Sequence, residues 1–372
     1  MTKPIKVAWV GGRGYHSSYG GVENAIRQLA RATASMPDID SWVTGRGQGL
    51  GFVERQESGL QLVEAPKWLG RMGQGLCTLG LLLYVLVRVR PDTLFLFASG
   101  PSLLSFLGRL FGARTVACLR AIDSQRDGWK GLNQQVLKLG EYSATRVAHQ
   151  CTVNSLAMQR HFAAQGLETV YIPNGITPLE PDRPGFLAQK GLESGRFLLY
   201  AGRLDPVKRL DVLLAAHHSL PKESRLPLVV AGGKCKNRAY QAQLEAMAAD
   251  DVHFLGHLGQ QELSTLMRHC ALFVLPSVLE GMSNSLLTAM GAGRCVLCAD
   301  VPENADVVSG DPRVLFEADN VEALRGKLTE YLQHPPYRDE VALAMKTLSQ
   351  QFSWQRSAHA FCQLAREGRG YE

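Results

Sequence analysis

The chain has 372 residues, of which 45% are hydrophobic and 20% charged, with a mean hydropathy of −0.07. That length holds two domains with a core each, and the balance excludes a disordered or low-complexity chain. The formal charge of +6 is uneven: residues 1–170 hold 19 Lys and Arg against 11 Asp and Glu, residues 171–372 hold 21 against 23. This suits an anionic partner for the first half alone, with chance as the alternative.

The first apolar run, KVAWV, begins at Lys6. The stretch before it lacks the longer apolar segment and cleavage site of a secretory signal, so a cytoplasmic location is expected. After the run, residues 10–21 form a glycine-rich loop, and Val22, Ile26, Leu29 and Ala30 then mark one face of a helix. Gly20 and Gly21 sit where that helix starts, and free amides there favour an anion. Gly11, Gly12 and Gly14 complete no dinucleotide fingerprint, and a plain strand-to-helix turn explains the loop equally well. The most apolar run, Leu76 to Val87, lies between Arg71 and the pair Arg88 and Arg90. It falls short of the roughly 20 residues that span a bilayer, so it reads as a core helix or as one that also touches a membrane surface.

Further strands are expected at 93–98, 115–119, 151–154 and 169–172, spaced by helical segments, as in a parallel sheet covered on both faces. Residues 176–196 break this rhythm with Pro178, Pro181, Pro184, Gly185, Gly191 and Gly195, and read as a linker. Domains are therefore expected at 1–175 and 197–350. Strands resume at 196–202, 226–232, 252–256, 272–276 and 295–299. The eight cysteines lie mostly in apolar contexts and read as buried free thiols, Cys295 and Cys298 included.

Two loops of the second half carry the chemistry. In YAGRLDPVKRLDVLLAA (200–216), Arg203 and Lys208 follow a strand end and could converge on a diphosphate, the first as a planar fork and the second as a point charge. Solvated surface charge is the competing reading. In residues 273–300, Glu280 and Gly281 precede a helix for which Ser283, Asn284 and Ser285 are all plausible caps. Beside an anion site, an acid such as Glu280 suits the hydroxyls of a neutral sugar.

Together GGVENAIRQLA, IPNGI (172–176), AGRLDPVKRLDVLLAA, VVAGGK, FLGHL, FVLPSVLEGMSNSLLTAMGAG, DVPENADVV (300–308) and FSWQRSAHAF (352–361) resemble family 4 of the glycosyltransferases, over nearly the whole chain. The resemblance implies a retaining α/β GT-B enzyme, with two Rossmann-like parallel-sheet domains facing a central cleft and the helix of 351–372 packing back on the first. It implies that Arg203 and Lys208 hold the donor diphosphate and that Glu280 contacts the donor sugar. Gly202, Gly232, Gly233, Gly281, Met282, Ser283 and Asn284 would line the donor, and Gly20 and Gly21 would close over the diphosphate. Asp123 and Arg126 would lie on the acceptor side. No metal and no cofactor are expected beyond the nucleotide-sugar co-substrate, of UDP or GDP type.

Two positions depart from the family pattern. The acid expected to hold the ribose is Thr288, and the histidine expected at the donor sugar is Arg120, which cannot act as a base at neutral pH. The expected function is sugar transfer from a nucleotide-diphosphate sugar to a glycan or lipid-diphosphate-linked acceptor in surface polysaccharide synthesis. The basic first half would rest on an anionic membrane, peripheral at the inner face of the plasma membrane, and no nucleic acid is involved. The alternatives are a degenerate homologue that binds without transferring sugar, and an epimerase or phosphorylase of the same fold.

Overall fold

A computed structural model describes residues 3–17, 20–125, 131–233, 235 and 237–367. The chain divides into two compact units, one of residues 1–175 with 353–372 and one of residues 176–352.

In the first unit, β1 (Ile5–Val10), β2 (Ile39–Arg46), β3 (Val53–Glu57), β4 (Leu60–Ala65), β5 (Thr93–Phe97), β6 (Arg114–Leu119), β7 (Gln150–Val153) and β8 (Val170–Tyr171) form one sheet in the order β3-β4-β2-β1-β5-β6-β7-β8. All pairings are parallel except β3 with β4. The strand order reverses at β1, so β1 and β5 diverge at a topological switch point.

Alternation along the strands sends Trp9, Phe95 and Phe97 to one face, where helices Gly21–Thr33 and Trp354–Glu367 cover them. Trp9 stacks on Phe95 at 4.5 Å, and Phe361 meets it edge-on. The other face, with Ala8, Val10, Leu94 and Leu96, is covered by the long helix from Gln74 to Val89, whose last turn is π-helical. The expectation of a core helix at 76–87 thus holds for its inner stripe, Cys77, Leu81, Leu82, Val85, Leu86 and Val89.

Strands β2, β3 and β4 carry no strand signal that the sequence reading used. In β2 the buried positions include Ser41 and Thr44, which are paid for by hydrogen bonds: Trp9 Nε1 donates to Ser41 Oγ at 2.7 Å, and Thr44 Oγ1 donates to the Trp9 carbonyl at 3.1 Å. β3 is an edge strand, VERQE, with almost no buried side chain.

The second unit contains β9 (Leu198–Ala201), β10 (Leu228–Ala231), β11 (Val252–Gly256), β12 (Leu272–Leu275), β13 (Cys295–Ala299) and β14 (Leu315–Phe316) in the order β11-β10-β9-β12-β13-β14, with every pairing parallel. This is the doubly wound order, and its switch point lies between β9 and β12. The proline-rich stretch 176–196 packs on this unit through Ile176, Phe186 and Leu192. All eight cysteines are buried and free, and burial pushes the Cys118 thiol up to about 12.

Two imidazoles give the fold a pH dependence. His149 accepts a hydrogen bond from the Thr115 amide at 2.9 Å, while burial, then Arg109 and Arg114, hold its pKa below 6.5. His217 is almost fully buried with Nε2 2.8 Å from the Leu226 carbonyl, and burial lowers its pKa as well. Below about 6.5 the unfolded chain binds protons that these folded imidazoles refuse, so their stabilisation is present above that pH and is lost as pH falls through it. The expected result is a lower Tm in mildly acid buffer than at neutral pH. A drop of the same size in a His149→Gln/His217→Gln variant would contradict the assignment.

Candidate functional site

Ligands of doubly wound sheets bind outside the carboxyl ends of the strands at the switch point, which directs attention to the loops leaving β9 and β12. After β9, Gly202 leads to a short 3-10 turn, Pro206–Lys208, whose start is capped by Asp205: its side chain accepts from the Val207 amide, and its carbonyl accepts from Lys208 N at 2.8 Å. After β12, the Val278 amide donates to the Val207 carbonyl at 3.0 Å, stitching the two loops together.

That stitch sets Lys208 beside Glu280. Lys208 Nζ donates to Glu280 Oε1 at 2.6 Å and to the Leu279 carbonyl at 3.4 Å. The side chains are only 14% and 10% exposed. An ammonium has three donors; two are used here, leaving one, together with Glu280 Oε2, for a ligand. The neighbouring cation goes elsewhere: Arg209, in the left-handed region at φ 49°, pairs with Asp211 and Asp319. Arg203 is exposed, and its carbonyl accepts from the buried Tyr200 hydroxyl at 2.8 Å.

The helix Asn284–Gly291 begins four residues beyond Glu280. Of the three plausible caps, Ser283 is the one used: its Oγ accepts from the Leu286 amide at 3.3 Å. No acid stands in its first turn, so the partial positive charge of the helix start is unopposed there. Gly281, Met282 and Ser283 are buried in the approach to it, and Asn284 is half-buried. Thr288 lies one turn further on, 9% exposed, and its hydroxyl donates to the Asn284 carbonyl at 2.7 Å.

Gly202 and Gly232 serve the backbone. Their amides donate to the Ala231 and Gly256 carbonyls at 3.0 and 2.9 Å, and a Cβ on Gly232 would overlap the Gly202 carbonyl oxygen. A Cβ on Gly233 would meet His257 Cβ at 3.7 Å, an ordinary van der Waals contact.

The remaining residues singled out by sequence belong to the first unit. Gly20 caps the helix Gly21–Thr33 with extended backbone, but the buried Glu23 occupies that helix's first turn and accepts from Arg13 N at 3.4 Å. An acid there already meets the positive end of the helix and disfavours a second anion.

Arg120 leaves the end of β6 and lies between aromatic faces, Cζ being 4.8 Å from the Phe97 ring and 5.7 Å from that of Phe361. Nη1 donates to Asn174 Oδ1 at 2.9 Å, while Nε and Nη2 are buried without a partner among the described residues. Burial lowers its pKa to about 10, so it stays charged at neutral pH. Asp123 accepts from Ser99 Oγ at 3.3 Å, and Arg126 lies outside the described residues.

Sequence reasoning passed over Glu141, which receives the Ser124 amide at 3.0 Å and hydroxyl at 2.7 Å and so anchors the loop carrying Arg120 and Asp123. It also passed over Ser277, whose hydroxyl at the end of β12 is fully buried and unpartnered among the described residues. The available signal for Glu141 was that it is the one acid of the helix Leu132–Arg146. Ser277 had none beyond its place after a strand.

Comparison with known proteins bears on this geometry. The family described as glycosyl transferases group 1 matches residues 183–346. The chain is 29% identical over 163 residues to the O-antigen chain mannosyltransferase B of Escherichia coli, covering 43% of this chain and 42% of that protein. It thus spans under half the length of that relative, and 21% of the serotype-specific mannosyltransferases of the same organism. It is 24% identical over 273 residues, 70% of this chain and 72% of the relative, to the N-acetylgalactosamine-N,N'-diacetylbacillosaminyl-diphospho-undecaprenol 4-alpha-N-acetylgalactosaminyltransferase of Campylobacter jejuni.

Among solved structures, sucrose-phosphate synthase from Thermosynechococcus elongatus superposes with a TM-score of 0.82 at 17% identity, over 99% of this chain and 100% of that one. Anabaena HepE in complex with UDP and glucose does so at 0.77 and 17%, over 98% and 100%. The fold of the chain is GT-B.

Proposed function

We propose that the chain, which belongs to the group 1 glycosyltransferases, transfers a sugar from a nucleotide-diphosphate donor to a glycan or lipid-linked acceptor in surface polysaccharide assembly. The observation that carries this reading is the Lys208–Glu280 pair at the β9/β12 switch point, facing a helix start with no acid in its first turn. Lys208, Arg203 and that helix start would take the diphosphate, and their attraction grows as charge builds on the leaving group. Glu280 would take sugar hydroxyls through its free oxygen.

The acceptor hydroxyl attacks C1 from the face the diphosphate leaves, the C1–O bond breaks, and the proton passes to the departing phosphate oxygen. This retains the anomeric configuration and requires neither a basic side chain at Arg120 nor a resident metal. In this reading the enzyme works in the cytoplasm, at the inner face of the plasma membrane.

Thermal shift with UDP, GDP, ADP and their sugars tests the reading, since a ligand at ~100 times its Kd stabilises by about 2.7 kcal/mol. One family of nucleotides should raise the Tm; a folded chain indifferent to all of them sinks the proposal. The engaged hydroxyl of Thr288 leads to a second expectation: Thr288→Glu should tighten nucleotide binding roughly 10- to 150-fold, the equivalent of a charged hydrogen bond of about 1.5–3 kcal/mol. Unchanged affinity would place the ribose elsewhere.

The enclosure of Arg120 between Phe97 and Phe361 favours a second reading, a homologue that binds donor without turning it over. Nucleotide binding with no sugar released or transferred would select it.

A further inference from the structure

The carboxyl ends of β6, β7 and β8 bring together polar side chains that the fold leaves unsatisfied. Leu119, Val153 and Tyr171 stand in register across these three strands, so Arg120 and Asn154 follow side by side. The last helix of the same unit holds the segment after β8. Ser357 Oγ donates to the Pro173 carbonyl at 2.7 Å, and Gly175 approaches Trp354 so closely that a Cβ would overlap it. Within this group Arg120 spends only Nη1, on Asn174. Its Nε and Nη2, together with Asn154 Oδ1, are buried and unpartnered among the described residues, and Asn154 is 2% exposed.

The charge is as unmatched as the hydrogen bonds. The titratable group that acts on Arg120 is the Cys118 thiol, which is pushed up to about 12 and so is neutral at neutral pH. The acids of the neighbouring loop and helix are engaged with serines, Asp123 with Ser99 and Glu141 with Ser124. The faces of Phe97 and Phe361 offset part of the cost. A buried guanidinium is nevertheless ordinarily matched by an anion.

The edge left over indicates which anion. Nε and Nη2 form one side of the guanidinium fork and present parallel N–H bonds, the pattern a carboxylate takes in bidentate fashion. Asn154 Oδ1 is an acceptor, which a carboxylate cannot fill and a hydroxyl can. Open α/β sheets take their ligands at this end of the strands. We propose that one of the two sugars the enzyme handles is acidic, its carboxylate held by the Nε/Nη2 edge of Arg120 and a hydroxyl by Asn154. The residue keeps part of its surface exposed, and the ligand would draw the orphaned edge outward. The proposal rests on the transferase reading and adds the class of sugar to it. The acid can sit on the donor or on the acceptor, and binding separates the two sources.

Affinities of the full chain are compared for UDP-glucuronate and UDP-glucose, and for GDP-mannuronate and GDP-mannose. A second arm compares free glucuronate with glucose while UDP or GDP is bound. An acid on the donor should make the acidic member of one nucleotide-sugar pair bind about 10- to 150-fold tighter, the range of a charged hydrogen bond. An acid on the acceptor should give that preference to free glucuronate instead. Arg120→Leu should erase the preference. Asn154→Asp sets a carboxylate beside the guanidinium and should erase it too, with the circular dichroism of the parent. Nucleotide binding with no preference for acid in either arm overturns the proposal. So does a preference that survives in both variants, or tighter binding of glucose 6-phosphate than of glucuronate. A chain indifferent to every nucleotide overturns the transferase reading and this proposal with it.

Discussion

Lys208→Ala lowers sugar transfer by about 10²–10³-fold, the usual loss when one preorganised charge at a leaving group is removed. It also destabilises the second unit, because Glu280 keeps its carboxylate at 10% exposure with its counter-charge gone. Breaking a buried pair by deleting one partner costs about 3–5 kcal/mol, whereas replacing both partners with neutral groups of similar shape is often tolerated. The pair therefore separates its two roles. Lys208→Met/Glu280→Gln should recover most of the stability lost in Lys208→Ala, as read by denaturant unfolding, and still fail to transfer sugar. A double variant that regained both stability and activity would reduce the pair to a structural ion pair.

Gly11→Ala is expected to be the most damaging single change in the first unit. Gly11 adopts φ 131°, a backbone conformation that residues with a side chain rarely take, and a Cβ there would overlap the Phe97 carbonyl oxygen of the neighbouring strand β5. The strain contributes about 1–3 kcal/mol and the forced separation of β1 from β5 about 1–3 kcal/mol more. Poor soluble yield or a clearly lowered Tm is the expected outcome; a variant as stable as the parent would show that the loop relaxes without cost. The same packing role explains why this loop completes no nucleotide-binding fingerprint. Its glycines let strand and loop approach, and Glu23 already occupies the helix start they lead to.

How much could be read in advance follows from which signals are local. The β9 and β12 loops were legible because an uninterrupted apolar strand ends at each, followed by the turn and capping residues that a strand-to-helix loop requires. The rest depended on partners far along the chain. Nothing in VKRLD says that Lys208 turns to Glu280 while Arg209 turns to Asp319; the Val278–Val207 stitch decides it. Arg120 is held by Phe97 and by Phe361 of the last helix, a contact with no trace in the residues around it. Strands β2 and β3 were invisible for opposite reasons: the polar residues of β2 are buried and hydrogen-bonded, and those of β3 lie on an exposed edge where no alternation is imposed. The Gln74–Val89 helix shows the same limit, since a run apolar on all sides does not announce which side is left open.

The central claim is that the β9 and β12 loops hold the donor. Hydrogen exchange of the full chain with and without the nucleotide sugar that raises its Tm tests this most directly. Protection is predicted in residues 202–209 and 277–286, and it should be lost in Lys208→Met/Glu280→Gln. Nucleotide binding that left both segments exchanging at their free rates would contradict it.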